Sequence, residues 1–266
     1  MTDPKLPLGQ ESDYPNQYAP DLLFRIPRSE SREAFGDGDL RFHGCDIWNA
    51  WELTWLGNGG RPSIATAEFR FPAASPFLIE SKSLKLYLGS FAMSSFDGQT
   101  EVRNAIAKDL SACAGADVGV ALDFDGAAAD FDGQCIDKLA IDCSATEIDA
   151  SLLEANVDDI VTESLHTHLL RSLCPVTNQP DSGSLQITYT GPRIKPESLL
   201  RYVVSFREHN DFHEACVEQV FVDLKEHCSP SKLSVYARYQ RRGGIDINPF
   251  RSDFEDSPRN LRLWRQ

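Results

Sequence analysis

The chain has 266 residues, 41% of them hydrophobic and 25% charged, enough for one large domain or two compact halves with a real core. Forty acidic residues against 26 lysines and arginines leave a formal charge of −14, which disfavours direct nucleic-acid binding. Residues 1–20 are polar and punctuated by proline, unlike a secretory signal. No apolar run approaches the roughly 18 residues that cross a bilayer, so a cytoplasmic protein without membrane attachment is expected.

Residues 1–41 read as an extended, proline-rich arm. Strand-like segments follow over 46–55 and 63–71. Leu84, Tyr87, Leu88 and Phe91 then fall at i, i+3, i+4 and i+7, the spacing of one apolar helix face. Val102, Ala105, Ile106 and Leu110 make a weaker second helix, and strands are expected over 117–124 and 135–141. A polar linker spans 144–160. Beyond it the order returns. A strand over 162–171 alternates Leu165, Thr167 and Leu169 against His166 and His168, and a second strand covers 185–190. Leu199, Tyr202, Val203 and Phe206 repeat the first helix face, and Val217, Val220, Phe221 and Leu224 the second. Strands over 233–239 and 244–247 close the half. Matched order and matched helix phase predict a duplication, with repeats at 42–143 and 161–266. Each repeat reads ββααββ, an α+β fold of antiparallel sheets with the helices on one face.

Duplicated halves diverge where one copy specialises. The first helix opens Glu80-Ser81-Lys82-Ser83-Leu84-Lys85, and its counterpart lacks the paired lysines. Lys82 and Lys85 project on one side near the helix N-terminus, an unfavourable place for cations. They form either a solvated face or an anion site. In the second half, the loop Cys174-Pro175-Val176-Thr177-Asn178-Gln179-Pro180-Asp181 joins the first two strands. A thiol and a carboxyl on one turn-rich loop suit a nucleophile and a proton donor, although a cysteine is as readily a packing residue. Phe212-His213-Glu214 opens the last helix, where Glu214 either complements the dipole or serves a ligand.

Seven cysteines are scattered without a CxxC pair, so reduced thiols are expected and a zinc site of paired cysteines is not. His166 and His168 share a strand face, but no supporting ligand set is evident, and no metal is expected. No GxGxxG motif follows a strand. Seven arginines after Lys232 provide a basic tail, either solvated or suited to a small phosphorylated ligand.

The segment 80–87, the loop 174–181 and Phe212-His213-Glu214 together resemble the 7-cyano-7-deazaguanine reductases, the nitrile reductases of queuosine biosynthesis. The resemblance extends through 18–28, 46–55 and Arg241-Arg242-Gly243-Gly244, nearly the whole chain, and is to the long, two-repeat members. Trp51 and Ser182 depart from the residues more usual there. The resemblance implies the tunnelling fold and the reduction of a nitrile to a primary amine by two NADPH. It implies that Cys174 is the nucleophile, Asp181 the proton donor and His213 an assistant to proton transfer or an orienter of Glu214. Ile79, Glu80, Ser81, His213 and Glu214 would hold the deazapurine; Ser81, Lys82, Arg242 and Gly243 would contact NADPH. One site per chain, shared by the two repeats, and a homodimer are expected.

The chemistry needs such residues. A nitrile carbon accepts hydride poorly, and thiolate addition with protonation of nitrogen makes it more electrophilic. A guanine-like edge presents adjacent N–H donors that a carboxylate accepts in pairs. Two readings compete: a zinc-dependent cyclohydrolase of the same superfamily, and a purine-binding module in which Cys174 is structural.

Overall fold

The computed structural model describes residues 14–35 and 41–266; positions 1–13 and 36–40 of the expected arm lie outside the described residues. Two compact units emerge. The first comprises 14–32, 46–125 and 241–246; the second comprises 33–35, 41–45, 126–240 and 247–266. The architecture is α+β.

In the first unit, strand β1 (Arg25–Pro27) leads into a short helix α1 (Arg28–Arg32). Strands β2 (His43–Leu56) and β3 (Pro62–Pro72) come next, then β4 (Phe77–Ile79). Helices α2 (Ser81–Gly89) and α3 (Gln99–Ala114) precede β5 (Gly119–Leu122). The expected helix faces are the buried ones: Leu84, Tyr87, Phe91, Val102, Ile106 and Leu110 have no exposed surface. β5 pairs antiparallel with β3, and β1 with β4.

The second unit begins with β6 (Gln134–Cys135). β7 (Ala155–Leu173), β8 (Pro180–Ile194), α4 (Pro196–Ser205) and α5 (His213–Cys228) follow. β9 (Lys232–Tyr239) and β10 (Ile245–Ser252), the latter from Ile247 onward, end the unit. Hydrogen-bonded neighbours run β10-β9-β8-β7-β6. Leu199, Tyr202 and Val203 of α4 and Phe206 just beyond it join Val217, Val220, Phe221 and Leu224 of α5 in one core with Leu185, Ile187, Val235 and Ala237 of the sheet. Full burial of each such side chain contributes roughly 1.5–3 kcal/mol.

Two expectations change. The strand expected over 135–141 shrinks to Gln134–Cys135 and pairs with β7 in parallel, not antiparallel. Asp137 draws the chain out of the ladder by accepting from Thr167 Oγ1 at 2.6 Å and His168 N–H at 3.0 Å. Gly133, at φ 91°, permits the approach, since a Cβ there would lie 2.1 Å from the Ser164 carbonyl oxygen. The expected alternation along β7 also breaks. A register shift between Thr167 and Leu170 leaves Leu169 exposed and buries Leu170, because one extra residue moves the following side chains to the other face. β7 begins at Ala155, inside the span read as a linker.

Each unit contains the same ties. Tyr87 Oη donates to Asp109 at 2.8 Å, and Tyr202 Oη to Asp223 at 2.5 Å. Ser90 Oγ donates to the Tyr87 carbonyl at 2.6 Å, and Ser205 Oγ to that of Tyr202 at 2.7 Å. Phe24 N–H reaches Ser83 Oγ at 3.0 Å, and Glu154 N–H reaches Ser198 Oγ at 3.1 Å. The segment at Phe24, in the expected arm, thus has its counterpart at Glu154, in the expected linker.

In the second unit Arg251, with no exposed side chain, pairs with buried Glu218 at 2.7 Å. Glu218→Ala is expected to cost about 3–5 kcal/mol, because it strands a buried guanidinium. Chemical denaturation at neutral pH measures this. Among the described residues, no helix is long and apolar enough to cross a membrane.

Candidate active site

The hairpin joining β7 to β8 holds the thiol. Cys174 follows the last residue of β7; its N–H donates to the Gln179 carbonyl at 2.9 Å, and its carbonyl accepts from Asn178 N–H at 3.0 Å. Asn178 supplies the left-handed turn at φ 58°, which asparagine tolerates better than most residues. The base of the loop is anchored at Leu173, which donates to the His209 carbonyl at 2.8 Å and accepts from Asp211 N–H at 3.2 Å. This contact sets the chain entering α5 beside the end of β7.

The first unit has the same device without the thiol. Leu56 donates to the Ser94 carbonyl and accepts from Phe96 N–H, both at 2.9 Å, and Gly57 N–H donates to the Arg61 carbonyl at 2.8 Å. Cys174 therefore stands where the first unit has Gly57. By the same bonds Phe96 matches Asp211. The hairpin's thiol and carboxyl thus lie in the second unit.

Asp181 lies on β8 as the Cα partner of Ser172 and is 4% exposed. Its Oδ2 is 3.7 Å from Nε2 of His213, the first residue of α5. This is within ion-pair reach but longer than a hydrogen bond. The His213 ring meets the Tyr239 ring edge-on, with centroids 4.1 Å apart. Glu214, 3% exposed, sits in the first turn of α5. The structure thus brings Asp181 and His213 together and buries Cys174 on the same hairpin as Asp181.

Sequence reasoning missed what supports them. Tyr239 and Cys216 are buried with Ser172 around Asp181, and burial pushes both the Cys216 thiol and the Tyr239 phenol upward. Cys216 is thereby a packing thiol. The visible signal was Gly183: a Cβ there would lie 3.1 Å from the Tyr239 ring. Thr177, on the cysteine loop, has a buried hydroxyl without a hydrogen-bond partner.

In the first unit Glu80 caps α2, accepting from Lys82 N–H and Ser83 N–H at 2.7 Å each. The carboxylate offsets the helix dipole and the flanking lysines. Its counterpart at the start of α4 is Lys195, an opposite charge at the same place. Glu80 is only 1% exposed, and burial raises its pKa against the lowering effects of its two backbone donors, Lys85 and Lys82. A raised carboxyl pKa means the folded state holds the proton more tightly. This stability is complete below the ordinary carboxyl range and is lost as pH rises through the raised value. Glu80→Gln is expected to flatten the decline in Tm from about pH 4 upward, as thermal scans across pH would measure.

Ile79 is buried next to Glu80 at the end of β4, while Ser81 and Lys82 are half-buried at the start of α2. Arg242 and Gly243 form a tight turn in which Arg242 N–H donates to the Ile245 carbonyl at 2.9 Å. Gly243 is exposed with φ 59°, and a Cβ there would lie 3.2 Å from Lys85 Cδ. The bare glycine backbone thus lies beside the second of the two helix lysines, and the cationic donors with this open cradle fit a phosphorylated cofactor such as NADPH. Trp51 donates to Asp246 at 2.6 Å and lies under Arg241, whose guanidinium is 4.2 Å from the ring centroid.

On the second unit's sheet, Cys135, His166 and His168 present ligand atoms within 4.8 Å of one another. The sequence showed no third ligand type beside the two histidines; the parallel strand β6 places Cys135 there.

Residues 14–122 match the family model described as nitrile reductase, 7-cyano-7-deazaguanine-reductase N-term, and residues 180–257 match that of QueF-like protein. An NADPH-dependent 7-cyano-7-deazaguanine reductase of Paraburkholderia phymatum is 50% identical over all of both chains. One of Paraburkholderia phytofirmans is 51% identical, again over all of both chains. One of Azoarcus sp. is 52% identical over 94% of this chain and 91% of its own. The chain belongs to the family of NADPH-dependent 7-cyano-7-deazaguanine reductases.

Proposed function

We propose that the chain reduces the nitrile of 7-cyano-7-deazaguanine to the 7-aminomethyl compound with two NADPH, through a covalent thioimide on Cys174, in queuosine biosynthesis. The observation that carries the reading is a thiol and a buried carboxyl on one anchored hairpin, with His213 beside the carboxyl. Cys174 sulfur adds to the nitrile carbon; Asp181 relays the thiol proton to the nitrogen, forming the thioimide. NADPH supplies a hydride to that carbon in each of two rounds. After the first, with a second proton on nitrogen, the carbon–sulfur bond breaks, leaving an iminium and the Cys174 thiolate. After the second the product is the primary amine, and a proton restores the thiol. The balance is two hydrides and two protons per nitrile. His213 assists proton transfer at Asp181 and packs on Tyr239.

Glu80 and Glu214 accept the paired N–H donors of the base, with Ile79 and Ser81 completing the contacts. Ser81, Lys82, Arg242 and Gly243 hold NADPH; Lys85 joins them because of its position beside Gly243. The chain carries tandem tunnelling-fold repeats, the second complete as ββααββ and the first ending on β5, a reading supported by the matched tyrosine–aspartate, serine and loop hydrogen bonds. The enzyme works in the cytoplasm as a homodimer on a small-molecule substrate, without direct contact to nucleic acid.

Protein, NADPH and the cyano-deazaguanine are mixed, and cofactor absorbance and protein mass are followed. Two NADPH oxidised per nitrile are expected, and without NADPH a substrate-mass adduct on Cys174. Nucleobase binding without NADPH oxidation would instead identify a purine-binding module.

A further inference from the structure

We propose that Cys135, His166 and His168 form a zinc site on the second unit's sheet, built from residues that nitrile reduction does not use. His166 and His168 stand two apart on β7, at the edge of its bulge, with their rings close to one another. Their rings lie 5.5 Å apart. β6 runs parallel to β7 with Cys135 as the Cα partner of His166, which adds a sulfur to the two imidazoles. The three ligand atoms lie within 4.8 Å of one another. Around tetrahedral zinc, with bonds of about 2.0–2.3 Å, neighbouring ligand atoms sit roughly 3.3–3.8 Å apart. Cys135 is exposed, which leaves its side chain room to close toward the two imidazoles.

The histidines are prepared for an ion. His168 Nδ1 is 2.8 Å from Ser184 Oγ, which fixes the ring and leaves Nε2 as the ligand, the arrangement typical of metal-bound imidazole. His166 is 9% exposed, and its Nδ1 is buried without a hydrogen-bond partner, a cost that structures rarely leave uncompensated. Asp137 and Asp130 lie close enough to His166 to act on it electrostatically, and a cation gains from both. Asp137 also holds the backbone of His168 at 3.0 Å. One sulfur and two nitrogens suit zinc among the abundant divalent ions and leave a fourth position for water. Bound there, the ion would cross-link the strand at Cys135 to β7.

The test uses untagged full-length protein, freed of metal by a chelator and titrated with cobalt(II), which reports thiolate coordination by a charge-transfer band in the near ultraviolet. One equivalent is expected to bind, with zinc displacing it and raising Tm by roughly 5 °C at saturation. Cys135→Ser removes the band; this exposed, near-isosteric change puts little of the fold at risk. Ser184→Ala weakens binding about tenfold, because it frees the His168 ring. Absence of a thiolate band in the unsubstituted protein overturns the site. So does a band that persists in both Cys135→Ser and His168→Ala.

Discussion

Cys174→Ala is expected to lower nitrile reduction by about 10⁴-fold or more, with binding of the cyano-deazaguanine largely kept. The loop should survive the change, because its geometry is set by backbone bonds at Cys174, Asn178 and Gln179 and by the anchoring of Leu173. The alanine variant loses the only group proposed to bond the nitrile carbon, so hydride would have to attack the weakly electrophilic nitrile directly. Steady-state NADPH oxidation measures the loss, and intact-protein mass should show no adduct. Calorimetric titration with the nitrile separates lost chemistry from lost binding. Turnover within tenfold of the unsubstituted enzyme would refute the covalent route.

Asp181→Asn is expected to lower kcat by about 10²–10⁴-fold, the usual worth of a positioned acid or base, with a smaller change in KM. The substitution keeps shape and removes the proton relay. Asp181 is 4% exposed, so bulk water is poorly placed to replace it. Adduct formation without NADPH should slow in parallel, because the nitrogen must be protonated as sulfur adds. A rapid adduct with slow turnover would place Asp181 in the hydride steps instead. His213→Gln is expected to lower kcat as well, because the imidazole lies 3.7 Å from Asp181.

The helices were legible from local pattern alone. Tyr87 and Phe91, or Tyr202 and Phe206, fall on one face at helical spacing, and those are the residues without exposed surface. The hairpin carrying Cys174 was legible from its prolines and Asn178, because turn chemistry acts over a few residues. The last strand of the first half was not. An alternating pattern cannot say which partner a strand finds, and Asp137 turns that segment onto β7 after two residues. Leu169 was misplaced for a related reason: a bulge depends on the neighbouring strand, and periodicity has no term for it.

At Cys174 the division is clear. Sequence by itself determined the helical faces, the turn-rich loop and the motifs that place the chain in its family, all properties of neighbours along the chain. Tertiary structure decided that Gly57 is the thiol's counterpart, that Glu80 also caps its helix, and that Tyr239 and Cys216 are buried near Asp181. It also decided that Cys135 meets His166 and His168. These contacts join residues far apart in the chain, and long-range hydrogen bonds and close packing select them only once the strands have found their register.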